Sequence, residues 1–443
     1  MIYARKYRIY PTKEQSVFLD KTLAAARFVY NLALETRITA YKESLRFRPS
    51  YNKEGVERGI SLSAYDLSKQ LTELKKNPEA IWLTEVHSIP LISAIQNMDT
   101  AYKNFFKTRA DFPRFRSKHK TQTFQFHQGY EIDEANQRIK IAKLDEKIKI
   151  KMHRPLGGKP KTCTISKTRT GKYFLSVQVE ADDVIMPKED VKNAVGIDVN
   201  TGSFDLSDGA VYDLPRAYRK AKNRLAFLDR QMRRKKKGSK NREKARLRLA
   251  KQHEKVANIR KDFLHKLSHQ LVTSDYDTIC IEDLNVKGMM AKAKPQKRED
   301  GKGYKKNGRK RKAGLSKSLA DAGFGEFRRQ LEYKSEWYGK NLLLAPRFEP
   351  TSKKCSNCGY INKDLNLSQR RWDCPECGTT HRRDTNAAVN IMRAALENNG
   401  YEGRQTPGLP VEGSGYAPSE AGMVTYLTTS KEHITGVTPT SGS

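Results

Sequence analysis

A chain of 443 residues with 85 Lys and Arg against 50 Asp and Glu carries a formal charge of +35. That is far more than solubility requires, and a compact fold so charged repels itself unless a polyanion neutralises it, so DNA or RNA is the expected partner. The length allows two or three domains, each with its own core, and no run of about 18 apolar residues exists to span a bilayer.

Residues 2–10, IYARKYRIY, alternate as a strand does, and Pro11 with Thr12 then opens a helical pattern through FLDKTLAAARFVYNLALETRITAY. The pattern stays mostly helical over 14–111, including LSKQLTELKK and IPLISAIQNMDTAYKNFF, with a looser insertion near 46–60. At FPRFRSKHK a proline and a basic-aromatic mixture end the helices, and Arg114 and Arg116 stand there as candidate nucleic-acid contacts. Period-two segments follow: TFQFHQ, RIKIAKL, KIKIKMH, KTCTISKT and YFLSVQVEA. They predict an all-β unit whose sheet the first strand completes, so that the helical segment is an insertion into a barrel.

The composition changes near residue 192. NAVGIDV reads as a short buried strand, and the remainder alternates strand and helix as α/β domains do. Residues 216–266 hold 21 basic and 4 acidic residues, with apolar positions at near-helical spacing broken at Gly238-Ser239. Two long helices in a hairpin fit this, with Arg233 and Arg234 among the candidate phosphate contacts. The basic run KAKPQKREDGKGYKKNGRKRKAG, Lys292 to Gly314, has almost nothing to bury and is expected to be a mobile loop. A disordered tail is expected over 397–443, rich in Gly, Ser, Thr and Pro. The chain has no Gly-x4-Gly-Lys-Ser/Thr loop to cradle ATP phosphates, which argues against an ATP-driven motor.

Six cysteines include two Cys-x-x-Cys pairs, leaving Cys163 and Cys280 as isolated, buried thiols. Cys355-Ser-Asn-Cys358 and Cys374-Pro-Glu-Cys377 are separated by 15 residues, and Gly359 and Gly378 supply a tight turn after each pair. Four thiolates at this spacing close a tetrahedral Zn²⁺ site. With no open position the metal folds the segment and does no catalysis, and His381 is spare.

Three acidic residues sit where apolar runs end: Asp198 closes VGID, Glu282 closes TICIE, and Asp384 opens TNAAVNIMRAAL. Singly, each has an ordinary explanation in strand-end solvation or helix capping. Together they can converge on a sheet edge, where divalent cations would neutralise them as in a two-metal phosphodiester site. Hard oxygen ligands suit Mg²⁺ or Mn²⁺ better than Zn²⁺.

IEDLNVKGM at 281–289, AGFGEFRRQLEYKSEWYGKNLLLAPRFEPTSKKCSNCG at 322–359 and RDTNAAVNI at 383–391 closely resemble the transposon-encoded TnpB family. ARFVYN, AYKNFF and FPRFR extend the likeness, which covers nearly all of residues 1–395. The resemblance implies an RNA-guided DNA endonuclease, related to the type V CRISPR effectors, with guide RNA and target double-stranded DNA as partners. It also implies Mg²⁺ and Zn²⁺ as cofactors, a monomer or homodimer on the RNA, and a cytoplasmic place beside a prokaryotic nucleoid. The fold class implied is multidomain, α+β and α/β. A wedge-type β-barrel (1–13 and 112–190) carries an inserted helical recognition domain (14–111). An RNase H-like RuvC nuclease domain (191–348 and 380–396) is interrupted by a zinc ribbon (349–379).

Position by position, Asp198, Glu282 and Asp384 match the three RuvC carboxylates. Asp198 would be shared between two cations, with Glu282 and Asp384 completing one site each. Ser68, Lys69, Gln96 and Asn97, polar residues on otherwise apolar helices, are candidate readers of a short motif beside the target. Two positions depart from the family's pattern: Asn200 stands where a glycine is common, and Arg382 where an acid is common. They leave open an RNA-guided DNA binder that does not cut, and the acidic triad itself leaves open an RNase H-fold transposase.

Overall fold

The computed structural model describes residues 2–47, 50–51, 57–59, 61–181, 190–298, 302–305, 307–366 and 368–401. Most of the expected tail, and parts of the insertion near 46–60 and of the basic loop, lie outside the described residues. Two compact units are drawn from Met1–Val184 with Lys220–Asn258 and from Ile185–Arg219 with Ile259–Ser443.

In the first unit β1 (Ile2–Tyr10) leads into α1 (Lys13–Phe47), a hairpin of β2 (Ser50–Tyr51) and β3 (Glu57–Arg58), α2 (Ala64–Leu74) and α3 (Ser88–Phe106). Then come β4 (Gln122–Phe126), β5 (Tyr130–Asp133), β6 (Arg138–Ile141), β7 (Ile148–Lys151), β8 (Lys159–Lys167) and β9 (Tyr173–Glu180). Seven strands form an antiparallel sheet in the order β4-β8-β9-β1-β7-β6-β5. As its alternation foretold, β1 joins this sheet, and it does so centrally: Ile2 faces Glu180 in β9, and Arg8 faces Lys151 in β7.

The period-two pattern has a direct cause in packing. Tyr173, Leu175, Val177 and Val179 of β9 are all buried, whereas the residues between them are not. The core they enter also receives Leu19, Leu23, Ala26, Tyr30 and Leu34 from α1 and Leu91, Ala94, Ile95 and Met98 from α3, at the three- and four-residue steps of one helix face. Sheet and helices therefore share one continuous core. An Arg37–Asp99 ion pair at 2.7 Å ties α1 to α3, with both side chains only 12% exposed.

The second unit begins with β10 (Ala194–Val199), β11 (Ser203–Leu206) and β12 (Val211–Asp213). The predicted basic hairpin follows as α4 (Ala217–Arg233) and α5 (Lys240–Thr273), with Gly238 at a φ of 83° in the turn. Arg242 secures that turn by donating to the Lys235 carbonyl at 2.7 Å. Residues 220–258 of the hairpin belong to the first unit, where Glu254 meets Lys172 at 2.9 Å and Thr170 at 3.1 Å.

The chain continues through β13 (Thr278–Glu282), α6 (Val286–Met290), α7 (Arg309–Ala322), α8 (Phe324–Tyr338), β14 (Asn341–Ala345), β15 (Arg371–Asp373), β16 (Thr380–Arg382) and α9 (Arg383–Asn398). The mixed sheet runs β12-β11-β10-β13-β14, with β10, β13 and β14 parallel. Leu264, Leu267, Leu319 and Phe327 cover one face, and Ile391, Met392 and Ala395 of α9 pack with Cys280 and Ala345. Gly196 admits α9 so closely that a Cβ there would collide with the Ala388 carbonyl. The basic stretch expected to be a loop turns helical at Arg309. Burial of Ser318, Leu319 and Ala322 anchors α7, and Arg and Lys, good helix formers, extend it backward. Among the described residues no helix is long and apolar enough to cross a membrane.

Candidate metal centres

The two Cys-x-x-Cys segments fold as matching knuckles. Gly359 and Gly378 take φ values of 82° and 70° and donate their N–H groups back to the carbonyls of Cys355 at 3.0 Å and Cys374 at 2.8 Å. Both turns aim their thiols inward, and the four Sγ atoms of Cys355, Cys358, Cys374 and Cys377 lie within 4.8 Å of one another. Sulfur pairs at 3.5 and 3.7 Å are near the edge of about 3.8 Å that tetrahedral Zn–S bonds impose, so this donor set fits Zn²⁺. Leu365 and Trp372 pack beside Cys355 and Cys374 as a small core. His381 is not idle: it is buried, faces Trp372 across β15 and β16, and brings Nε2 to 3.0 Å from Cys355 Sγ, the place of an outer hydrogen bond to a ligand.

A second centre gathers acids. Asp198 stands near the end of β10, Glu282 at the end of the adjacent parallel strand β13, and Asp384 in the first turn of α9. Burial, then the charge of Glu282, push the Asp198 carboxyl up to about 7; Asp384 and Asp205 add to this, and a hydrogen bond from Asn200 opposes it. The Glu282 carboxyl is raised as well, chiefly by burial, against a hydrogen bond from the Thr351 hydroxyl at 3.1 Å. Asp384 is not the helix cap, which is Arg382 with no side-chain bond; its carboxylate instead accepts from Arg370 at 2.9 and 3.3 Å. Among the described residues only the cysteines converge within 4.8 Å, so the acids are more loosely gathered. Oxygen donors whose joint ionisation is costly are of the chemical type that a hard divalent cation such as Mg²⁺ would suit.

The link between the centres runs through two residues that the sequence reading passed over. Asn386 and Asn390 are buried on α9; Asn386 accepts from the Ser356 N–H at 2.9 Å and donates to the Lys354 carbonyl at 2.8 Å. Asn390 donates to the carbonyls of Thr351 at 2.8 Å and Lys354 at 2.6 Å. The helix that carries Asp384 is thus stitched to the first knuckle. Two asparagines four apart in the apolar run NAAVN were the available signal. Asp205, Thr351 and Arg370 carried no comparable signal. A cleft of about 740 Å³ lies beside this junction, lined in part by Ser207, Asp208, Asn357, Thr380, Arg382 and Arg393.

The candidate nucleic-acid contacts are placed unevenly. Lys69 lies over the Tyr65 ring at 4.6 Å, and Ser68 donates back to the Ala64 carbonyl at 2.7 Å. Gln96 is exposed, whereas Asn97 donates to Gln125 at 3.0 Å. Arg114 is exposed beside Asp111, while Arg116 stacks its guanidinium on Tyr30 at 3.7 Å. Arg233 pairs with Asp229 at 2.8 Å, and Arg234 is exposed. Cys163 and Cys280 are buried, and burial pushes each thiol up to about 12, which makes them inert packing residues.

Family models match three segments: the OrfB_IS605 model described as "Probable transposase" over 174–293, the "Cas12f1-like, TNB domain" over 324–391, and a "Helix-turn-helix domain" over 1–46. In the last segment the fold is a strand followed by one long helix. A protein of Streptomyces pristinaespiralis named "Putative RNA-guided DNA endonuclease" is 38% identical over 396 residues, 89% of each chain. "Putative RNA-guided DNA endonuclease InsQ" of Escherichia coli K12 is 33% identical, over 89% of this chain and 92% of its own. "TnpB-like protein L770" of Acanthamoeba polyphaga mimivirus is 28% identical, over 89% of this chain and 74% of its own. Among solved structures, a Cas12f1-sgRNA-target DNA complex aligns at a TM-score of 0.44 and 13% identity, over 88% of this chain and 98% of that one. The relatives alone, matched almost end to end at 38% and 33% identity, decide the family: the chain belongs to TnpB, the OrfB proteins of the IS605 type.

Proposed function

We propose that this chain is a guide-RNA-dependent DNA endonuclease that cuts beside a short target-adjacent motif, with Asp198, Glu282 and Asp384 as its catalytic carboxylates. The observation that carries the reading is topological: Asp198 and Glu282 stand at or near the ends of the adjacent parallel strands β10 and β13, and Asp384, remote in sequence, stands in the first turn of α9, which packs on the same sheet. Two Mg²⁺ ions at such a set would supply an activated water and stabilise the leaving 3′ oxygen, the chemistry of in-line phosphodiester hydrolysis. The protein's own part is to hold the carboxylates. Asn200 engages one oxygen of Asp198, Thr351 one oxygen of Glu282, and Arg370 is a cation beside Asp384 able to meet a phosphate.

In this reading the seven-stranded sheet and α1 to α3 are the wedge and recognition parts. The five-stranded sheet is the RuvC-like nuclease, and the cysteine-bound segment is the inserted ribbon. Base pairing to the RNA reads the target, with Ser68, Lys69, Gln96 and Asn97 as candidates for the adjacent motif. Arg114, Arg116, Arg233 and Arg234 would contact phosphates. Names of relatives support guided cleavage, and the presence of all three carboxylates favours cutting over binding alone.

The test is to sequence RNA that copurifies with the protein, then to reconstitute the complex and offer it a matching plasmid with a randomised flank. Cutting beside an enriched flank with Mg²⁺, and none in a chelator, is expected. Guided binding with no cutting would establish the inactive alternative, and RNA-free joining of transposon ends would establish the transposase.

A further inference from the structure

Asp205 is a fourth acid at the carboxylate centre, 4% exposed and directly opposite Asp198 in the pairing of β11 with β10. Like charges directly opposite on neighbouring strands are unfavourable unless something joins them. Here Asn200 does: its Nδ2 donates to Asp198 Oδ2 at 2.8 Å and to Asp205 Oδ2 at 3.4 Å. The Ser203 hydroxyl donates to the same Asp205 oxygen at 2.8 Å, and the Asn200 N–H donates to the Ser203 carbonyl at 3.0 Å, which fixes the turn that presents the amide. Burial raises the Asp205 carboxyl, the Ser203 and Asn200 bonds work against this, and of the more distant charges Asp384 raises it and Arg382 lowers it. Asn200, one of the two positions at which the sequence departs from its family's pattern, is therefore in direct contact with Asp205.

We propose that Asp205 and Asn200 are positioning residues for Asp198. Asp205 accepts from one donor of the Asn200 amide, the other donor holds Asp198 Oδ2, and Asp198 Oδ1 is left for a divalent cation. The inference rests on the nuclease reading of Asp198, and both are tested by Mn²⁺ binding to the full-length, RNA-free protein, read from the electron paramagnetic resonance of free Mn²⁺. Loss of the orienting bond in Asn200→Ala or Asp205→Ala weakens Mn²⁺ about tenfold, the scale of outer hydrogen bonds at metal sites. Asp205→Asn still offers an acceptor to Asn200 and stays within about twofold of wild type.

Equal weakening in Asp205→Asn and Asp205→Ala would mean that Asp205 acts by charge alone and would overturn the proposal, as would unchanged affinity in Asn200→Ala. Asn200 is only half-buried, so its variant keeps the test decisive if Asp205→Ala fails to fold. Asp198→Ala separates the two claims. If it binds Mn²⁺ like wild type, the nuclease reading falls and takes the positioning role with it; if it alone loses Mn²⁺, only the positioning role falls.

Discussion

The cysteine and carboxylate centres are built in opposite ways. Four thiols come from two knuckles with the same backbone bonds, and local turns bring their sulfurs within 4.8 Å. The acids come from two parallel strands and a helix, are gathered only by the topology of the sheet, and oppose one another's ionisation. A centre made by local turns is held by its own backbone, whereas one made by topology depends on every element that carries a ligand. Here the dependence has a direction, because α9 is bonded to the first knuckle through Asn386 and Asn390.

The sharpest way to separate the centres is Asp198→Ala. Guided cleavage should fall about a thousandfold or more, while zinc content and affinity for the copurified RNA stay at wild-type levels. Cutting assays beside elemental analysis check this, and any loss of zinc would show that the centres are not separable in that direction. Replacing Cys355 and Cys358 together with Ser should break the contrast the other way. Zinc is lost, the ribbon's metal-linked folding energy of about 10 kcal/mol goes with it, and cutting falls because α9 loses its partner. Full activity without zinc would refute that coupling.

Asn390→Ala probes the stitch itself. The buried Thr351 carbonyl loses the Asn390 donor and the Lys354 carbonyl keeps only Asn386, at a cost of about 1–3 kcal/mol, read as a lower melting temperature and a reduced cutting rate with zinc retained. The smallest effect lies away from both centres, at Asp99. Burial raises its carboxyl, but Lys103 and Arg37 more than offset this and hold it below its ordinary value. Its contribution to stability is complete above about pH 4 and is lost as pH falls through the lowered value. Melting temperatures of wild type and Asp99→Asn should therefore converge as pH falls below the ordinary carboxylate range.

How much of this was legible in the sequence follows the same division. Knuckle spacing named the four cysteines that the fold brings together, since a local turn has few ways to present two thiols. Alternation placed β1, β8 and β9, because one face of each is buried. The acids were legible only as ends of apolar runs, and their convergence needed the sheet order. Asp205 was invisible, since its role comes from standing opposite Asp198 across a strand pair. Thr351 and Arg370 were invisible for the same reason, each lying far along the chain from the acid it contacts. The end of the basic stretch, 309–314, misled because it has almost nothing of its own to bury, whereas burial farther along α7 anchors it.

The central place of β1 bears on how the protein is made. During synthesis Ile2–Tyr10 is exposed long before Ile148–Lys151 and Tyr173–Glu180, the strands on either side of it, have been translated. At about 5–20 residues per second that wait is on the order of ten seconds. A strand whose Tyr7 and Ile9 end in the core spends this time with unpaired backbone and nothing to cover them. Its Arg5, Lys6 and Arg8 put like charges on that unpaired strand, which oppose its pairing with the same strand of another nascent chain.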